Sequence, residues 1–246
     1  DSDEIVKTLL EKLRRILKEV EEIARENHKR DRDANREINK LVEDIARRLE
    51  EVAERLREVI DERVLKKLKE LLDRLREDLK RVDTENEELA RRDEKRLEDV
   101  IKKIEELLRD LEKKLEEVKR RGEPREDLLR KALEVLKRIV ELIDKLIKDH
   151  EKSLRDSVEL NLRLLRRILE VVERVVELLE RVLQGLDEKD LRRLRKDIER
   201  LKEEVKRALD ELRKKYKKIE DDNRRLVERI RRELKKILDE LDEKRQ

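Results

Sequence analysis

Residues that interrupt helices are nearly missing from this chain, and the few present fall at regular intervals. Among 246 residues there are two glycines and one proline. Gly122 and Pro124 stand together in RRGEPRED (120–127), and Gly185 stands in LQGLDEKD (183–190). A chain so poor in turn formers cannot make the many tight reversals of a β-protein. It is either helical or disordered, and the order of its apolar residues decides between the two.

That order is helical. Leu65, Leu68, Leu72, Leu75, Leu79 and Val82 are followed by Val100, Ile104, Leu107, Leu111, Leu115 and Val118. Spacings of three and four mark a sustained apolar seam, which a disordered polyampholyte lacks. Between Val6/Leu9 and Leu56/Val59 the seam repeats at a period between the 3.5 residues of a strict heptad and the 3.6 of a straight helix. Slight left-handed supercoiling is therefore expected.

The breaks divide the chain into pieces of nearly equal length. Ser2, with Asp3 and Glu4 behind it, reads as a helix start. Gly122 suits a left-handed helix end, and Pro124 suits the first turn of the next helix. Gly185 ends another helix, and Asp187 can cap its successor. A weaker break lies in EVIDERVLKK (58–67), where Asp61 is the one capping candidate. The expected helices run over about 3–59, 62–121, 125–184 and 188–244, each on the order of 85–90 Å long at 1.5 Å per residue. Short links between equal helices make sequential neighbours antiparallel. The expected fold is all-α: a single long, up-down-up-down four-helix bundle covering residues 1–246.

Composition removes several function classes. The 72 basic and 69 acidic residues are interleaved and leave a net charge of +3. Nucleic-acid binding needs a one-signed stripe, usually with aromatic platforms, and Phe and Trp are missing. No apolar run approaches the ~20 residues of a membrane span, and no polybasic anchor or signal peptide is present. The absence of cysteine excludes disulfides and thiolate sites. The first residue, Asp1, reads as a trimmed start. No nucleic acid, membrane, cofactor or small molecule is expected as a partner.

Each expected helix carries polar residues in its seam near its midpoint. The first has His28, Asp31, Asn35 and Asn39, and the second has Asn86 and Asp93. The third has His150, Ser153, Ser157 and Asn161, and the fourth has Tyr216 and Asn223. Folding the chain about its three breaks brings His28, Asp93, His150 and Asn223 to one level. Asn35 or Asn39, Asn86, Ser157 or Asn161, and Tyr216 fall one or two turns away. A shift of 122 residues also carries His28 onto His150, Asp31 onto Ser153, Asn35 onto Ser157 and Asn39 onto Asn161. The first and third helices are thus expected to run parallel with matched polar positions.

Two histidines with Asp93 and Asp31 are possible metal ligands. The Glu-x-x-His pairs of natural di-metal bundles are missing, however, since Arg25 and Ile147 stand three residues before the histidines. An Asp–His pair could move protons, but no nucleophile, glycine-rich loop or aromatic-lined pocket accompanies it. The sequence therefore assigns no catalytic, cofactor or metal residue and reads the chain as no enzyme. The remaining reading is structural. A buried polar group left without a partner costs about 1–3 kcal/mol, so a network satisfied in one register disfavours the others.

These features together resemble de novo designed helical bundles with buried hydrogen-bond networks. The likeness rests on the apolar layers at both ends, the bands His28–Asn39, Asn86–Asp93, His150–Asn161 and Tyr216–Asn223, the Glu/Lys/Arg surface, and short links such as RRGEPRED. It covers the whole chain and implies a soluble scaffold of synthetic origin, with no natural biochemical activity. Two alternatives accompany it. The third helix is the most apolar, with Leu164, Leu165, Ile168, Leu169, Val171, Val172, Val175, Val176, Leu178 and Leu179. An exposed stripe there would pair two copies or, like the polar band, bind a separate partner, although a monomer is favoured. Straightening at Asp61 would permit a domain swap. The histidines also raise a pH question: burial favours neutral imidazole and a nearby carboxylate favours the charged form.

Overall fold

A computed structural model describes residues 2–58, 60–122, 125–184 and 188–245. Four helices follow in order: α1 (Ser2–Arg55), α2 (Glu62–Arg121), α3 (Arg125–Leu183) and α4 (Glu188–Arg245). No strand occurs among the described residues. Pro124, Gly185 and Asp187, to which the sequence assigns turn and cap roles, lie outside the described residues, as do Val59 and the side chain of Ser2.

The first link is a real turn, although it lacks glycine and proline. Helix α1 ends at Arg55, earlier than residue 59, and residues 56–58 form a turn. The Arg57 N–H reaches the Glu54 carbonyl at 3.2 Å, and the Ile60 N–H reaches that of Leu56 at 2.7 Å. Leu56 and Ile60 are both buried and hold the turn against the core. The Asp61 carbonyl then accepts from the Val64 and Leu65 amides at 3.0 and 3.2 Å. Accepting the first bonds of α2 while lying outside it is what a capping position does. At the second link, Gly122 has φ +64° and its N–H bonds to the Val118 carbonyl at 3.0 Å. That is the left-handed helix end for which glycine has no steric penalty.

Each helix contributes to two compact units. The first consists of Asp1–His28, Leu89–Arg155 and Glu220–Gln246, the second of Lys29–Glu88 and Asp156–Ile219. In the first unit, Leu9, Leu13 and Ile16 of α1 pack with Ile104, Leu108 and Leu111 of α2, Leu136, Ile139 and Ile143 of α3, and Ile230 and Leu234 of α4. In the second, Ile38, Ile45 and Leu49 of α1, Leu68 and Leu75 of α2, Leu165, Ile168 and Val172 of α3, and Val205 and Leu209 of α4 are buried. Burying each large aliphatic side chain contributes about 1.5–3 kcal/mol. The broad apolar face of α3 is used within the chain: Leu164, Leu165, Ile168, Val172, Val175, Val176 and Leu179 are buried, and Leu169, Val171 and Leu178 half-buried.

Partner numbers give the helix directions. In the first unit, Arg14 pairs with Glu112 and His28 with Asp93, so α1 and α2 are antiparallel. Arg229–Glu19 and Lys12–Glu240 set α4 antiparallel to α1 in the same way. The second unit repeats this, with Arg76 on Glu50, Asn39 on Asp83, Lys215 on Glu37 and Tyr216 on Asn35. Surface ion pairs join α1 to α2 and to α4. The α1–α3 bonds given by the described residues are made by inward polar side chains, with Asn27 meeting His150, and Asp31 meeting Ser157 and Asn161. Four antiparallel neighbours around a shared core, with α1 opposite α3, make each unit a four-helix bundle.

Candidate functional site

The seam of α1 reads Val20, Ala24, Asn27, Asp31, Ala34 and Ile38 in steps of four and three. Small alanines flank the two polar positions, leaving room for side chains from the facing helices. Asn27 belongs to the first unit and Asp31 to the second, and each anchors a separate hydrogen-bond network.

The network of the first unit centres on Asp93, which is 3% exposed. Its Oδ2 accepts from His28 Nε2 at 2.9 Å and from His150 Nδ1 at 2.6 Å. The two imidazoles meet edge to face, with centroids 5.6 Å apart. On the far side of the His150 ring, Nε2 lies 3.0 Å from Asn27 Nδ2. One tautomer satisfies both contacts: the proton sits on Nδ1 and is donated to Asp93, and Nε2 accepts from the Asn27 amide. The other Asn27 N–H donates to Asn223 Oδ1 at 2.7 Å. All four helices are thereby joined through five side chains. Burial pushes the Asp93 carboxyl upward, but the N–H groups of His150 and His28, and their charge when protonated, outweigh it. The group is held well below the usual carboxylate range.

The network of the second unit is a ring. Ser157 Oγ donates to Asp31 Oδ2 at 2.6 Å and also lies 3.0 Å from Asn86 Oδ1. Asn86 Nδ2 donates to Asn161 Oδ1 at 2.7 Å, and Asn161 Nδ2 reaches Asp31 Oδ1 at 3.3 Å. A hydroxyl has one proton, and the shorter contact to the carboxylate takes it. Tyr216 is fully buried, and its hydroxyl donates to Asn35 Oδ1 at 2.8 Å. Burial, followed by the charges of Asp31, Glu37 and Asp83, raises its pKa far above that of free tyrosine. Asn39 Nδ2 donates to Asp83 Oδ2 at 3.1 Å, while Asn39 Oδ1 is buried without a partner. Burial raises the Asp83 pKa even though the Asn39 bond opposes it.

The structure thus joins His28, Asp93, His150 and Asn223 in one network, and Asp31, Asn86, Ser157 and Asn161 in another. Asn35 and Tyr216 form a pair, and Asn39 binds Asp83. His28, Asp31, Asn35 and Asn39 are half-buried. Ser153 is also half-buried and belongs to neither network. On α3 the inward steps are Ile147, His150, Leu154, Ser157 and Asn161, so Leu154 takes the core slot beside Ser153. Among the inward polar residues that escape the sequence reading are Asn27, Asp78 and Asp83. Asn27 was legible, since it lies on the same three-four stripe as Asp31. Asp78 is 8% exposed and is held by Arg81 and, at 3.1 Å, by Arg167 Nε. It flanks the α2 seam, where an acid normally faces water, and its burial depends on an arginine from another helix.

The ligand atoms of His28, Asp93 and His150 lie within 4.8 Å of one another. They form the one group of metal-binding type in the described residues. No described helix is long and apolar enough to cross a membrane. Compared with protein-family models, with curated proteins and with solved structures, the chain matches none.

Proposed function

We propose that the chain is a de novo designed scaffold whose polar networks specify which helices pair and in what register. The supporting observation is the connectivity of the first network. Five side chains from four helices share bonds of 2.6–3.0 Å around Asp93 and Asn27. Sliding α3 by one seam step sets Ile147 or Leu154 against Asp93 and Asn27 and orphans several buried polar groups at once. Leu, Ile and Val layers carry no such penalty, because one layer accepts another's partner almost as well. The role is structural, and no catalytic step is assigned to it. A monomer accompanies this reading, because the broad apolar face of α3 is covered by its own chain.

The test replaces Asn27, His28, Asp31, Asn86, Asp93, His150, Ser157, Asn161 and Asn223 together with Leu, Ile or Ala. The expected product is at least as stable as the parent but populates several species, seen as added peaks in light-scattering chromatography or doubled amide signals in NMR. A single species with the parent's mass and spectrum would overturn the proposal. For the parent, a mass near twice 30.2 kDa would overturn the monomer.

A further inference from the structure

We propose that His28, Asp93 and His150 form a binding site for one divalent transition metal ion of the zinc and cobalt class. Natural di-metal bundles carry Glu-x-x-His pairs on single helices. Here the ligands come singly from α1, α2 and α3, and the folded bundle assembles them. The donor set of two imidazoles and one carboxylate, with no thiolate, suits ions of intermediate softness.

Both ring nitrogens already converge on one oxygen, His28 Nε2 at 2.9 Å and His150 Nδ1 at 2.6 Å from Asp93 Oδ2. Around a tetrahedral ion with bonds of about 2.0–2.2 Å, neighbouring ligand atoms stand roughly 3.3 Å apart. The nitrogen–oxygen gaps must open by about half an ångström, a side-chain adjustment with no helix movement. With neutral imidazoles the cluster carries one buried negative charge, which a cation offsets. His28 keeps 12% of its side chain exposed, so water has a route to a fourth coordination position.

The surrounding amides fit the same role. A metal on His150 Nδ1 moves that ring's proton to Nε2, which then needs an acceptor. The Asn27 amide now donates to Nε2 and to Asn223 Oδ1. Half-turns of both amides reverse the polarity of both bonds. Asn27 Oδ1 then accepts from His150 Nε2–H and from Asn223 Nδ2. His28 responds by shifting its own proton to Nδ1. No proton enters or leaves, and both imidazoles remain neutral. Asn27 thereby becomes the outer partner that orients a ligating histidine.

The experiment titrates the chelator-treated full chain with cobalt(II) at pH 7.5, then displaces cobalt with zinc(II). Visible absorption of four-coordinate intensity, saturating at one equivalent and bleached by zinc, is expected. In parallel, NMR of the zinc-bound chain should show His150 protonated at Nε2 and His28 at Nδ1. His28→Gln and His150→Gln should each weaken cobalt binding at least tenfold. Asn27→Leu should weaken it by about 10–100-fold, and Asn161→Leu in the other network should leave it unchanged. His28 is less deeply buried than His150, so its variant keeps the test valid if the His150 variant does not fold. Absence of a cobalt spectrum, or one retained in His28→Gln, would overturn the proposal and assign any bound metal to surface carboxylates.

Discussion

Replacing Asp93 by leucine in the metal-free chain removes the acceptor from two imidazole N–H groups at once. His150 is buried and its Nδ1–H has no route to water; an orphaned buried donor costs about 1–3 kcal/mol. His28 can turn toward solvent, and its loss is about 0.5–1 kcal/mol. The leucine returns about 1 kcal/mol through apolar burial. The expected net loss is therefore about 2 kcal/mol. Asp93→Asn keeps one carbonyl oxygen and should lose about half as much. Replacing Asn27, His28, Asp93, His150 and Asn223 together with leucine leaves nothing orphaned, and stability should equal or exceed the parent's. Guanidinium unfolding at pH 7.5, followed by circular dichroism at constant slope, measures all three. The reasoning fails if Asp93→Leu matches the parent within about 0.5 kcal/mol, or if the fivefold variant is less stable than Asp93→Leu.

The lone tyrosine supplies a pH prediction. The folded Tyr216 pKa lies above the unfolded value of about 10, so its contribution is complete below pH ~10 and is lost as pH rises through the folded value. Tyrosinate absorbance should accordingly appear together with alkaline unfolding, and absorbance rising in the still-helical protein would refute it. Asn39→Leu should cost less than Asn161→Leu, because it removes the orphaned Asn39 Oδ1 along with the one bond to half-buried Asp83, whereas Asn161→Leu should cost about 1–3 kcal/mol; equal effects in denaturant melts would contradict this. Gly122→Ala should cost about 1–2 kcal/mol through its positive φ alone, since an added Cβ meets nothing within 4 Å. A thermal melt unchanged by that substitution would remove the left-handed end from the account.

Much of the fold was legible because helix periodicity and helix ends are local. Helix α2 follows from the seam between Asp61 and Gly122, and Gly122 adopts the positive φ that its position in RRGEPRED implies. The end of α1 at Arg55 was not legible, because Leu56 and Ile60 are anchored by burial, which is tertiary. Polar membership was legible where a residue sits on the seam, as with His150 and Asn161. It was not where a neighbour takes the core slot, as Leu154 does beside Ser153. Asp78 and Asp83 depend on Arg167 and Asn39 arriving from other helices, and no window of local sequence contains that information.

The division into two units has a kinetic consequence. The second unit is built from two continuous stretches, Lys29–Glu88 and Asp156–Ile219, and its Asn39–Asp83 bond closes a separation of 44 residues. The first unit draws on both chain ends, and its Asn27–Asn223 bond closes one of 196. The second unit must also close an Asn35–Tyr216 bond over 181 residues, so by the logarithmic rule for loop closure joining α4 to α1 costs the two units the same to within about 0.1 kcal/mol. What distinguishes the first unit is that it is assembled from three separate stretches, the two terminal ones among them. Covalently joining the two ends, both of which belong to the first unit, would reduce its Asn27–Asn223 circuit to the length of the two terminal segments and speed the assembly of that unit while leaving the Asn39–Asp83 circuit of the second unit unchanged.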